Sequence, residues 1–123
     1  MSKPQAIKDQ ILRELVLYIA QRSKNDANFG AAKQNKLLLY ADLLAYANLG
    51  EPITHQEYVT VPKGAAPKRW PLVMKQMIAK GDIADRQRRT VPLRDANLSL
   101  FSPSQINLVD QLIEMHRQPA NSP

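Results

Sequence analysis

Few residues of this chain are of types and spacings that do chemistry unaided. It holds two histidines, His55 and His116, and no cysteine. The absence of cysteine removes disulfide scaffolds, thiolate-bound zinc, iron–sulfur clusters and cysteine nucleophiles. Neither histidine is followed at i+3 or i+4 by another histidine or a carboxylate in a metal-ligand pattern. Asp110 and Glu114 flank His116 at ordinary helix-surface spacings, where the imidazole suits the C-terminal end of a helix dipole. No Gly-x-Ser-x-Gly elbow surrounds any serine. The four glycines are scattered singly, and Lys63-Gly64 lacks the Ser/Thr that completes a phosphate loop. The residues therefore offer no catalytic constellation, no metal site and no cofactor site.

Three groups of polar residues remain. Asp42 is the only acidic residue between Lys36 and Leu49. It either faces outward on a narrow polar strip or is buried, and a buried carboxylate needs a lysine, an arginine or loop amides around it. Lys36 and Tyr40 stand one turn apart on one helix face. With Tyr46 they are either core side chains with wet tips or the rim of a partner-binding groove, and the face of Lys36, Tyr40 and Asp42 is the first candidate for partner contact. Lys68, Arg69 and Trp70 make a second corner of the types enriched at interface anchors, although Trp70 fits a core equally well.

The charge is uneven. The chain of 123 residues carries a net +6, but Lys63 to Arg94 alone holds nine Lys/Arg against Asp82 and Asp85, a balance of +7. Such a bias attracts an acidic partner or a nucleic-acid backbone, or is simply a solvated surface. Arg86, Arg88, Arg89 and Arg94 are the candidates for phosphate contacts, whose affinity would fall steeply with salt. Asp82 and Asp85 lie beside these arginines and read as ion-pair partners.

The elements that must position these groups follow from periodicity and punctuation. Ile7, Ile11, Leu15 and Ile19 recur every four residues, predicting a helix from about Pro4 to Arg22. Ser23–Gly30 is a polar break. From Ala31 to Leu49, 13 of 19 residues are apolar, predicting a second helix buried on most of its circumference, the centre of the domain, and stopped by Gly50. Thr54 and Glu57 have capping-box spacing for a single helical turn. Tyr58–Val61 reads as a short strand and Gly64–Pro67 as a tight loop. A third helix starts between Pro67 and Pro71, presents Trp70, Val73, Met74, Met77 and Ile78, and ends at Gly81. Ile83–Arg89 and Val91–Leu98 suggest a charged hairpin. Ser102, Pro103 and Gln105 mark the start of a last helix with a capping box, Phe101 and Ile106 forming a staple.

The fold class expected is mainly α: four principal helices around a central buried helix, with a small strand and hairpin element. The helix–strand–helix–hairpin order also allows a winged-helix arrangement, a likeness of fold alone. The length favours a single domain over residues 1–117, with a flexible tail at 118–123. Lys3, Lys8 and Asp9 precede an amphipathic stretch rather than an apolar one, and Leu37–Ala47 is too short and polar to span a bilayer, so a soluble cytoplasmic protein with no membrane role is expected.

The run from Lys33 through Lys36, Leu37, Leu38, Leu39 and Tyr40 to Asp42 resembles the signature of the Panacea domain, the SocA-like antitoxin family. Gly50-Glu51-Pro52-Ile53-Thr54, Tyr58, Gly64-Ala65-Ala66-Pro67, Gly81-Asp82-Ile83 and Leu100-Phe101-Ser102-Pro103-Ser104-Gln105 follow in the family's order. The likeness extends from about Ala6 to Arg117. Gln34 stands where the family usually has leucine, and Ala65 where it usually has proline. The resemblance implies a non-enzymatic, α-rich bacterial or phage protein. It would neutralise a cognate protein toxin, encoded by an adjacent gene, through direct binding or by delivering it to a protease.

Overall fold

A computed structural model describes residues 3–117. In chain order the elements are α1 (Gln5–Arg22), α2 (Ala31–Leu49), β1 (Tyr58–Val61), β2 (Gly64–Pro67), α3 (Trp70–Lys80), β3 (Ile83–Arg86), β4 (Arg89–Pro92), a single 3₁₀ turn (Leu98–Leu100) and α4 (Pro103–His116). The tail expected at 118–123 lies outside the described residues.

The helix boundaries follow local chemistry. Pro4 lies just outside α1 at its cap position, and its carbonyl accepts the amides of Ile7 and Lys8, both at 3.1 Å. α2 ends at Gly50, whose φ of +87° closes the last turn in a conformation that costs other residues free energy. α4 begins with the expected capping box. The Ser102 hydroxyl accepts from the Gln105 amide at 3.1 Å, and the Gln105 side chain accepts from the Ser102 amide at 2.9 Å. Phe101 is buried and Ile106 packs half-buried against the same core.

The centre of the domain is α1, not α2. Leu12, Leu15, Val16, Leu17 and Ile19 are fully buried, more than one helical face. α1 packs against α2, α3, α4, β4 and the 3₁₀ turn. α2 buries Leu37, Leu38, Ala41 and Ala45, but in its second half Leu43 is 57% exposed and Tyr46 67%. The high apolar content of α2 was therefore a poor guide to its burial: part of that surface is left facing solvent. Gln34 is buried and donates to the Val16 carbonyl of α1 at 3.0 Å.

Further expectations are corrected. Gly64–Pro67 is a strand, not a loop. It pairs antiparallel with β1 from Tyr58↔Pro67 to Val61↔Gly64, and the turn falls at Pro62 and Lys63. Thr54 starts no helical turn, because its hydroxyl is held by Asp42. The polar segment before α2 contributes Phe29, 3% exposed, to the core. The second hairpin exists but is shorter than expected, pairing Ile83↔Pro92 to Arg86↔Arg89. The two hairpins form separate two-stranded sheets, a pairing that does not by itself make a winged-helix arrangement.

The β3–β4 turn places Gln87 and Arg88 at φ of +54° and +64°. Two successive left-handed residues are the geometry of a type I′ turn, which favours Asn-Gly. Replacing the pair by Asn-Gly is expected to stabilise the protein by about 1 kcal/mol, read as a higher urea midpoint with an unchanged slope.

Candidate functional site

An open basin of about 550 Å³ has the outward face of α2 as its floor. Lys36, Leu39 and Tyr40 come from that helix; Lys63, Gly64 and Ala65 from the tip of the β1–β2 hairpin; Met115 and His116 from the end of α4. The Lys36 ammonium lies 5.6 Å from the centre of the Tyr40 ring, within the range of a cation–π contact. The His116 ring lies against the other side of this group, its centroid 5.6 Å from that of Tyr40 and tilted by 51°. His116 is held by its Nδ1, 2.9 Å from the Leu112 carbonyl. Lys33 closes one side, ion-paired with buried Asp26 at 2.5 Å and donating to the His116 carbonyl. No carboxylate lines the basin. It can thus receive an apolar or aromatic group beside an anionic one.

Asp42 lies outside the basin, 5% exposed. Its Oδ1 accepts the amides of Ile53 and Thr54, both at 2.8 Å. Its Oδ2 accepts the Thr54 hydroxyl at 2.5 Å and the Tyr58 hydroxyl at 2.6 Å. Of the two readings open from sequence, the loop-amide network is the one observed. The cluster pins the segment after Gly50 to α2 and sets where β1 begins. Burial, with the charge and hydrogen bond of Asp42, pushes the Tyr58 phenol well above its usual range.

The second corner is divided. Arg69 grips buried Asp9 of α1 with Nε at 3.0 Å from each carboxylate oxygen and a terminal nitrogen at 2.8 Å. Lys68 is exposed beside it, at a separate depression of about 370 Å³. Trp70 is half-buried and lines a third hollow with Met74 and Ile83. These three residues therefore do not share the basin of Lys36 and Tyr40.

The arginines proposed for nucleic acid divide too. Arg94 forms a two-pronged pair with buried Glu14 of α1, both distances 2.8 Å, and reaches Asp82 at 2.8 Å. Arg89 donates to the Asp26 carbonyl at 2.9 Å and stacks over Phe29 at 5.7 Å. Arg86 and Arg88 are exposed. Burial opposes ionisation of Glu14, but Arg94 and the Asn97 amide more than offset it, holding this carboxyl below its ordinary 4.5. Arg69 and two glutamine amides likewise outweigh burial at Asp9, which lies below 3.8.

Sequence reasoning missed Lys33, Lys63, Met115 and His116 as members of the basin. They come from three separate segments, and little in their local patterns signals that the fold brings them together. The only clue was the approach of Lys33 to Lys36 and Tyr40 along one helix.

Fold and site define a mainly helical module with two small hairpins and an open basic–aromatic basin. Its sequence matches the model of the antitoxin SocA-like, Panacea domain over residues 35–119, and the chain belongs to that family. The matched span begins inside α2, so α1 lies outside it, although the likeness read from sequence began near Ala6. No curated protein and no solved structure matches the chain. No helix among the described residues is long and apolar enough to cross a membrane.

Removing the Asp42 carboxylate strands four donors. Asp42→Ala is expected to cost about 3 kcal/mol by urea unfolding and to speed hydrogen exchange at the Ile53 and Thr54 amides. The depressed carboxyls of Asp9 and Glu14 contribute stability that is complete above their ordinary values and is lost as pH falls through their lower folded values. Thermal stability should therefore be level from about pH 7 to 5 and drop below about pH 4. Glu14→Gln should lower stability at neutral pH and shallow that acid drop.

Proposed function

We propose that this protein neutralises a protein toxin by direct contact, with the Lys36–Tyr40 face as its principal contact surface. The family is one of antitoxin-like domains, which supports a protein partner and a role without bond-making chemistry. The observation that carries the reading is the basin itself. An aromatic ring flanked by an exposed lysine lies open on α2, backed by a hairpin and a helix end that fix its shape. Aromatic groups in partly desolvated pockets are typical interface anchors. Asp42 contributes from beneath, by holding the loop that sets the hairpin wall. The Lys68, Arg69 and Trp70 corner is a secondary contact region, in which Lys68 is the freest cation.

A nucleic-acid function through Arg86, Arg88, Arg89 and Arg94 has less support. Two of the four guanidinium groups are engaged within the molecule.

Co-expression with the product of the adjacent gene tests the proposal. The wild-type protein should bind that product and restore growth. Lys36→Glu should weaken binding at least about tenfold, equivalent to about 1.4 kcal/mol, while circular dichroism and melting stay near wild type. Absence of both binding and rescue by the wild-type protein would remove this reading.

A further inference from the structure

The basin is one end of a longer feature. A second concavity of about 570 Å³ lies between the C-terminal half of α2 and α4, lined by Leu44, Leu49, Leu108 and Met115 among others. Met115 bounds both cavities and is 77% exposed. Along α2, Lys36, Tyr40, Leu44 and Asn48 follow one another every four residues on the edge of the two cavities. α4 runs antiparallel beside them: His116 meets Tyr40, while Ser104 and Leu108 border the cavity that Asn48 and Leu49 also line. From Ala32 to Asn48 the furrow is about 24 Å long at 1.5 Å per residue.

Its two ends differ in chemistry. Three lysines and no carboxylate line the basin end, and of these Lys33 is already paired with Asp26. Lys36 and Lys63 are exposed. No charged residue lines the other end. The furrow thus asks for a rod-shaped occupant with an apolar stripe and a negative terminus. Most of its walls are helices whose backbone groups are already bonded internally, so an added β-strand would find few free peptide groups to pair with. An amphipathic helix satisfies the length, the stripe and the charge. A second copy of this chain is disfavoured, because it would bring a net +6 and the same lysines to the basin.

We infer that the α2–α4 furrow is the docking site of an amphipathic helix from the partner protein. Its apolar stripe lies over Leu44, Leu49 and Met115, and its acidic end lies against Lys36 and Lys63. This rests on the proposed toxin-binding role and names the part of the toxin that is recognised.

The test uses the full chain and a synthetic stapled helix of about 16 residues, the furrow's length at 1.5 Å per residue. The peptide carries leucines at i, i+4 and i+7 and glutamates at one end; a twin carries lysines in their place. The acidic peptide should shift the amide NMR signals of Tyr40, Leu44 and Met115, and the lysine twin should bind at least about tenfold more weakly, a difference of about 1.4 kcal/mol. Lys36→Glu with Lys63→Glu should reverse that preference, and Met115→Asp should abolish binding of either peptide. No shifts with the acidic peptide, equal binding of the twins, or a wild-type dimer in sedimentation that Met115→Asp dissolves would each overturn the inference. Growth rescue without peptide binding removes the furrow assignment and leaves the antitoxin reading standing. Peptide binding with the stated preference but without rescue does the reverse.

Discussion

The Asp42 carboxylate is buried in α2 and accepts four hydrogen bonds from a segment 11 to 16 residues further along the chain. A carboxylate taken from water demands such partners, and loop amides taken from water demand an acceptor. Each requirement meets the other here. The loop after α2 can therefore be buried without regular structure, with Thr54 fully inside. The position of β1, the turn at Pro62 and Lys63, and the wall of the basin all follow from where this clasp holds the chain. The basin is on the outside of α2, but its shape is set from within.

A second pair of constraints works from α1. α1 buries two carboxylates, Asp9 and Glu14, in a helix otherwise packed with leucine, isoleucine and valine. Each draws an arginine across from the second half of the chain, Arg69 and Arg94. Arg89 meanwhile turns back to the carbonyls that follow α1. Three of the nine basic residues between Lys63 and Arg94 are thus held by internal contacts. The charge excess that suggested a phosphate-binding surface is partly a requirement of folding. What reaches solvent is more local, and one part of it, Lys63, sits where it can act with Lys36.

The local elements were largely legible. The α2 limits, the stop at Gly50, the β1 strand and the α4 capping box depend on residues within one turn of each other, so sequence spacing describes them directly. Gly64–Pro67 was misread because glycine and proline normally interrupt structure; here they terminate a two-residue hairpin, and the pairing with β1 supplies the energy that propensity lacks. Thr54 was misread for a related reason. Its capping-box spacing was real, but its hydroxyl donates to a buried carboxylate on another element and accepts the Gln56 amide, two residues on rather than three, so no helical turn begins there.

The site was half legible. Lys36 and Tyr40 share a helix face, and the 3.6-residue repeat is enough to put them together. His116, Met115 and Lys63 join them only because α4 lies antiparallel to α2 and the first hairpin folds over its start, relations that no local pattern encodes. The sequence by itself determined what the helices are and where they begin and end. Tertiary structure alone decided which apolar helix is central, which arginines are occupied, and that two lysines, a tyrosine and a histidine from separate elements face one opening. Hydrogen bonding along a helix is short-ranged, whereas burial and charge pairing are settled only when distant segments compete for the same interior.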